Sequence, residues 1–119
     1  MKNTDTGIKR LVSAFNYSLN GLRTAYASEA AFRQEVWLAL VLTPAAWFVG
    51  DTSLERGVLI ASVLVLLIVE LLNTAIEKTV DRIGSEFHEL SGAAKDIGSA
   101  AVLLALMLVL LIWIAVIFN

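Results

Sequence analysis

Residues 70–81 read Glu-Leu-Leu-Asn-Thr-Ala-Ile-Glu-Lys-Thr-Val-Asp, and they carry acidic and amide side chains at the end of a long apolar run. On a helix, the polar positions of this stretch follow i, i+3, i+4, i+7 and i+11 spacing and therefore share one face. We refer to these residues as the polar strip: Glu70, Asn73, Thr74, Glu77 and Asp81. An ionisable residue inside a membrane span is costly and indicates a functional site. The stretch therefore predicts a membrane-entering helix with one functional face.

The composition supports a membrane protein. The chain has 119 residues, of which 58% are hydrophobic and 17% are charged. Soluble domains average about 45–50% apolar and about 25% charged residues, and a chain of this size cannot bury such an apolar excess. The absence of cysteine excludes disulfides and thiolate metal sites. The net charge of −2 argues against nucleic acid as a partner.

Three apolar stretches are predicted to cross the membrane, at about residues 32–49, 57–77 and 97–118. About 20 apolar residues in a helix span the hydrocarbon core, and the first stretch is short and contains Pro44. Lys and Arg residues concentrate before Val36 and between residues 77 and 96. The positive-inside rule therefore places the N-terminus and the second loop in the cytoplasm.

The N-terminal segment, at about residues 6–28, is predicted to form an amphipathic helix. Its apolar residues recur at helical spacing: Ile8, Leu11, Val12, Phe15, Leu19, Leu22 and Tyr26. Lys9, Arg10 and Arg23 accompany this stripe. Such a helix lies in the plane of a membrane surface; the alternative is a helix packed against soluble protein.

The depth of the polar strip suggests what it does. If the second span leaves the membrane near Glu77, Glu70 lies about 10 Å deeper at 1.5 Å per residue, where lipid headgroups meet acyl chains. The strip would then bring a water-soluble reactant to a lipid-bound one. The alternative is that these polar residues only join helices.

Glu29 also has two interpretations. Arg33 follows it by four residues and pairs with it if both lie on one helix. Alternatively, Glu29 joins Glu77 as an oxygen ligand of Mg²⁺, which prefers carboxylates and substrate phosphates. The loop after Asp81 adds glycines and cations, but it contains neither a P-loop nor the linear signatures of a protein kinase.

The quoted stretch resembles the signature of the bacterial integral-membrane diacylglycerol kinases. The similarity continues through residues 81–91 and 94–102 and covers residues 21–23 and 29–35. The resemblance implies one all-α integral-membrane kinase domain over residues 1–119, which consists of a surface helix and three transmembrane helices. It also implies that the chain forms a homotrimer with sites composed of residues from more than one chain. The resemblance places this protein in the bacterial inner membrane. It also implies transfer of the γ-phosphoryl group of MgATP to 1,2-diacylglycerol, which yields phosphatidic acid.

The resemblance further implies roles for individual residues. Glu70 would be the general base, Asn73 would position the reacting groups, and Glu29 and Glu77 would hold Mg²⁺. The ATP site would comprise Arg10, Tyr17, Glu29, Glu77, Glu86, Phe87, His88, Lys95 and Asp96. The lipid site would comprise Arg10, Arg23, Glu35, Arg56, Glu70 and Ser99. Phe87 stands where the family can carry tyrosine, so a hydroxyl contact is absent there.

Two other functions remain open at this point. An undecaprenol kinase of the same fold would use the same chemistry on a polyprenyl alcohol, although residues 84–91 resemble the diacylglycerol branch more closely. In a small proton- or ion-coupled transporter, Glu70 would instead be the ion-coupling carboxylate.

Overall fold

The computed structural model describes residues 6–84 and 88–119. Four helices follow one another along the chain: α1 (Gly7–Ser28), α2 (Ala30–Val49), α3 (Ser53–Ile83) and α4 (Glu89–Ile117). The described residues contain no β-strand. The prediction of an all-α fold is therefore confirmed.

Within the described residues, the helices long and apolar enough to cross a membrane are α3 and α4. Large apolar side chains on their outer surfaces, such as Leu64, Leu72 and Leu104, are exposed, which suits a lipid environment. The 20-residue α2 does not meet the same criterion, because polar residues 33–35 lie in its first turns. The first of the three predicted spans therefore stays a prediction.

The most extensive helix packing in the chain is between α3 and α4. Its core consists of Leu66 from α3 and Ala105 and Val109 from α4, and Val69 and Trp113 pack against this cluster. Small residues on α4 allow the two backbones to approach closely, as is usual between membrane helices. This packing sets the rotation of α3, which determines where its polar strip points.

The start of α3 is fixed by hydrogen bonds at its N-terminus. The Glu55 N–H donates to Thr52 Oγ1 at 3.1 Å, and Glu55 Oε1 accepts from the Asp51 N–H at 2.8 Å. Asn119 Nδ2 donates to Glu55 Oε2 at 2.8 Å, which ties the end of the chain to the start of α3. The hydrogen bond from Asp51, followed by that from Asn119, holds the pKa of Glu55 below its usual range.

A buried serine joins α3 and α4 at the same end of the pair. Trp113 Nε1 donates to Ser62 Oγ at 3.2 Å, and Ser62 Oγ donates to the Leu59 carbonyl at 2.7 Å. Ser62 is 2% exposed. The indole N–H can only donate a hydrogen bond, and Ser62 Oγ provides the acceptor that it needs.

We expect Ser62→Ala to destabilise the protein because it leaves the Trp113 N–H without this acceptor. Hydrogen bonds between membrane helices contribute on average about 0.6 kcal/mol and at most about 1.7 kcal/mol. Thermal denaturation in detergent, compared with Ser53→Ala in the exposed first turn of α3, measures the effect. Equal midpoints for the two variants would contradict the proposed stabilisation.

The corner between α1 and α2 lies at a single extended residue. Glu29 adopts φ −121° and ψ 111°, and its N–H donates to the Ala25 carbonyl at 2.9 Å. Arg33 Nη1 from α2 donates to the carbonyls of Tyr26 and Ala27 at 2.7 and 3.0 Å. Because these carbonyls have no partner within the end of α1, Arg33 fixes the angle of the corner.

The first half of α1 is exposed relative to the other described residues. Ile8 is 80% exposed, and Leu11 and Phe15 are also exposed. The second half, by contrast, faces α3 across a cavity of about 550 Å³. The cavity is lined mainly by small and apolar residues, with the Lys78 side chain among them: Ser18, Gly21, Leu22, Thr24, Ala25, Leu71, Thr74, Ala75 and Lys78.

Candidate active site

The inner half of the polar strip faces the interior of the helix bundle. Glu70, Asn73 and Thr74 are 5%, 7% and 5% exposed, whereas Leu72 on the same helix is 61% exposed. Further toward the helix end, Glu77 is half-buried and Asp81 is exposed. The strip therefore runs from a buried carboxylate to one in contact with solvent.

Two carboxylates from outside α3 approach the buried end of the strip. The Oε1 atom of Glu29 lies 3.9 Å from Lys78 Nζ. Glu29 also interacts electrostatically with Glu70. Glu35 of α2 also interacts electrostatically with Glu70, and its Oε2 atom is buried without a hydrogen-bond partner among the described residues. Glu77 completes this group through its own electrostatic interaction with Glu70. We call these four residues the carboxylate cluster.

Asn73 links the carboxylate cluster to α4. Its Nδ2 atom donates to Glu77 Oε1 at 2.9 Å. Its Oδ1 atom is buried and has no hydrogen-bond partner within the described part of the chain. The carboxamide lies against Gly98 of α4, where a Cβ atom would overlap it. The orientation of Glu77 is thus coupled to the packing of α3 against α4.

The donor set of the carboxylate cluster suits a hard divalent cation. All of its side-chain donors are oxygens, which Mg²⁺ prefers. Neighbouring like charges raise one another's energy unless a cation or proton compensates them, and Lys78 pairs with Glu29. The described residues contain no group of three or more His, Cys, Asp or Glu that could by itself hold a metal ion. The cluster therefore offers the type of oxygen donor that Mg²⁺ prefers, while the binding of a metal ion stays a prediction.

The solvent end of the strip carries an ion pair between α3 and α4. Lys95 Nζ lies 2.7 Å from Asp81 Oδ1. The hydrogen bond and the charge of Asp81 raise the pKa of the Lys95 ammonium, so this group stays cationic. It provides a fixed positive charge about one helical turn beyond Glu77, where anionic phosphates would be accommodated.

The other predicted nucleotide contacts fall in different places. Nδ1 of His88 accepts the Leu90 N–H at 3.1 Å and caps the start of α4. Asp96 is exposed on the second turn of α4. Glu86 and Phe87 lie outside the described residues.

Arg10 and Tyr17 lie on α1, N-terminal to the part of the helix that lines the cavity against α3. About 27 Å of helix separates Arg10 from Ser28, the residue next to Glu29, at 1.5 Å per residue. Tyr17 is exposed on α1. The roles of these two residues as ATP contacts stay a prediction.

The predicted lipid contacts are also dispersed. Arg23 lines a cavity of about 430 Å³ together with Leu22, Tyr26, Phe32, Val36 and Leu67, next to the side of α2 that carries Glu35. Ser99 is exposed on α4 beside Gly98. Arg56 lies about 21 Å along α3 from Glu70, where its guanidinium stacks 4.9 Å from the Trp47 ring centroid and its Nε donates to the Gly50 carbonyl at 3.1 Å.

Sequence reasoning assigned no role to two residues that contact the carboxylate cluster or Asn73. Lys78 pairs with Glu29, and its position four residues after Thr74 already placed it near the polar face. Gly98 contacts Asn73 across the helix pair, and nothing in the sequence alone distinguishes it from the other small residues of α4. Asp81 was placed in the strip, but its pairing with Lys95 was not foreseen.

The geometry defines a helical membrane protein with a carboxylate site among its helices, and comparison with known proteins specifies the family. The model of the prokaryotic diacylglycerol kinase family matches residues 16–117. A diacylglycerol kinase of Haemophilus influenzae is 49% identical over 113 residues, covering 95% of this chain and 96% of that protein. A diacylglycerol kinase of Escherichia coli strain K12 is 53% identical over 114 residues, covering 95% of this chain and 93% of that protein. A diacylglycerol kinase of Pseudomonas aeruginosa is 49% identical over 114 residues, covering 96% of this chain and 93% of that protein.

The chain therefore belongs to the prokaryotic diacylglycerol kinase family. The resemblance inferred from residues 70–102 is confirmed. The predicted class, an enzyme that phosphorylates diacylglycerol and uses ATP, is confirmed with it.

Proposed function

We propose that this chain transfers the γ-phosphoryl group of MgATP to the free hydroxyl of 1,2-diacylglycerol and produces phosphatidic acid for phospholipid metabolism. The observation that carries the proposal is the position of Glu70, buried in a membrane helix with a carboxylate cluster around it and a gradient of exposure toward Asp81. A water-soluble nucleotide and a membrane lipid would meet along this gradient. The family match and the identities near 50% support the same reaction.

We assign the proton transfer to Glu70. Its carboxylate accepts the proton of the lipid hydroxyl while the hydroxyl oxygen bonds to the γ-phosphorus and the bond to the β-phosphate oxygen breaks, which releases ADP. Asn73 holds the neighbouring Glu77 carboxylate at a fixed angle through its 2.9 Å hydrogen bond. The bilayer confines the lipid hydroxyl at one depth, which removes much of the entropic cost of alignment.

Glu29 and Glu77 would hold Mg²⁺ beside the phosphates. When bound, the ion supplies neutralisation of the phosphate charge, which phosphoryl transfer needs more than covalent assistance. Lys95 would add a second positive charge from the solvent side. Its pairing with Asp81 keeps the ammonium at the rim of the site, and a phosphate oxygen would compete with that carboxylate for it.

We propose that the chain is a single integral-membrane domain in the bacterial inner membrane. Its surface helix would cover residues 6–28 and its spans residues 32–49, 57–77 and 97–118. The distribution of Lys and Arg supports a cytoplasmic N-terminus and a cytoplasmic loop between α3 and α4. The exposed apolar stripe in the first half of α1 supports its location at the membrane surface.

We further propose a homotrimer in which sites are shared between chains. The support is the exposed apolar surface on the first half of α1, where the side chains of Ile8, Leu11 and Phe15 are all exposed. In a trimer, it would reach the site of a neighbouring chain.

The activity is tested with purified protein in mixed micelles supplied with labelled MgATP and, in parallel, diacylglycerol or undecaprenol. We expect rapid transfer of label to diacylglycerol. Transfer to undecaprenol alone would keep the chemistry but replace the acceptor. No transfer to either lipid from a folded sample would reject the proposed function and favour an ion-coupled transporter, which ion flux in liposomes would test.

A further inference from the structure

Gly98 is the buried glycine at the point where α4 passes the polar strip of α3. A Cβ atom at this position would overlap Asn73 Oδ1 and would lie 3.4 Å from Asn73 Cγ and 3.9 Å from Ile76 Cδ1. The Asn73 carboxamide therefore occupies the space that any other residue at position 98 would need. No such conflict exists at Gly57 or Gly21, where nothing lies within 4 Å of an added Cβ.

The carboxamide of Asn73 is held at both ends. Its Nδ2 atom donates to Glu77 Oε1, and its Oδ1 atom is buried against the bare backbone of Gly98. A Cα–H group that contacts a carbonyl oxygen is a weak stabilising interaction common between packed helices. Since asparagine has only two side-chain torsions, displacement of Oδ1 rotates Nδ2 away from Glu77.

We propose that Gly98 is a positioning residue for phosphoryl transfer. Its missing side chain leaves the notch in which Asn73 sits, and Asn73 in turn orients the Glu77 carboxylate. The effect on catalysis rests on the proposed function, in which Glu77 holds Mg²⁺, whereas the steric coupling between residues 98 and 73 does not. An outer partner of a metal ligand changes metal affinity or activity by about 10–100-fold when it is removed.

The test compares Gly98→Ala with Gly57→Ala, a glycine-to-alanine change in an open position of α3. We expect Gly98→Ala to raise the Mg²⁺ concentration for half-maximal activity, or to lower kcat, by about 10–100-fold. The KM for diacylglycerol should change far less, since position 98 acts through Asn73. Gly57→Ala should leave both quantities within twofold of wild type.

A spectroscopic readout follows Asn73 itself, without metal or nucleotide. In protein labelled with ¹⁵N at asparagine side chains, the Asn73 amide signal is assigned by its loss in Asn73→Ala. We expect Gly98→Ala to shift this signal and Gly57→Ala to leave it in place. An unshifted signal in folded Gly98→Ala overturns the proposal.

A double variant keeps the proposal testable even if Gly98→Ala does not fold. Asn73→Ala removes the carboxamide and makes room for the methyl group, so adding Gly98→Ala to it should change activity and Mg²⁺ dependence less than twofold. A further tenfold loss in the double variant would show that Gly98 acts independently of Asn73 and would overturn the proposal.

Failure of the proposed function would look different. It would appear as wild-type protein that does not phosphorylate diacylglycerol. An active wild type whose Mg²⁺ dependence and kcat are both unchanged by Gly98→Ala would instead reject the role of Gly98 alone.

Discussion

Glu70→Gln is expected to lower the rate of phosphoryl transfer to diacylglycerol by about 10²–10⁴-fold, the usual contribution of a general base. Glutamine has nearly the same shape and keeps a polar side chain in the buried site, but its amide cannot accept the hydroxyl proton. The KM for ATP should change little, because Glu70 lies at the buried end of the strip, away from Lys95 and Asp81. Initial rates in mixed micelles at saturating lipid measure the effect.

The matched control is Glu55→Gln, the same chemical change at the other end of α3. Glu55 caps this helix through Asp51 and Thr52, so its replacement affects stability while leaving the carboxylate cluster intact. Activity per folded protein should stay close to wild type in this control. Near-normal turnover of folded Glu70→Gln would exclude Glu70 as the base.

The helical character of the chain and the burial of Glu70, Asn73 and Thr74 were accessible from the sequence for one physical reason. A polar residue in a membrane helix is tolerated only when it faces other helices or water. Periodicity of 3.6 residues then groups such residues on one side, and the structure buries these three while Leu72 is exposed. Local spacing was sufficient here because the relevant geometry lies within one helix.

The partner of Glu29 was not accessible from local spacing. Arg33 follows it by four residues, but Glu29 is extended and separates α1 from α2, so the geometry of a continuous helix does not apply. Arg33 binds the carbonyls of Tyr26 and Ala27 instead, and Glu29 contacts Lys78. The interpretation that paired Glu29 with Arg33 was therefore wrong. Neither Gly nor Pro marks this break in the sequence.

Contacts between α3 and α4 were likewise beyond sequence reasoning. The pairs Asn73–Gly98 and Asp81–Lys95 depend on the relative rotation and offset of two helices. These are set by the packing of Leu66, Ala105 and Val109, which periodicity within a single helix does not specify. The sequence had indicated Asn73, Asp81 and Lys95 as candidate site residues, but it indicated neither Gly98 nor the pairing of these residues.

Glu29→Gln and Glu77→Gln are each expected to lower turnover by about 10²–10³-fold, the usual effect of losing one preorganised electrostatic contact to the reacting groups. Both should also raise the Mg²⁺ concentration needed for half-maximal activity, because each removes one anionic oxygen ligand. Titration of activity with Mg²⁺ at fixed ATP separates the two effects. Unchanged Mg²⁺ dependence in both folded variants would reject these residues as the metal ligands.

Mixed oligomers then distinguish contacts made within a chain from contacts made between chains. Glu29 and Glu77 of one chain both act on the same Glu70, so oligomers assembled from Glu29→Gln and Glu77→Gln chains should stay inactive. Oligomers of Arg10→Ala and Glu77→Gln chains should regain activity, because the first half of α1 would complete the site of a neighbour. Recovery in the first mixture would mean that the carboxylates of one site come from different chains. The absence of recovery in the second mixture, with Arg10→Ala inactive alone, would contradict the sharing of sites through α1.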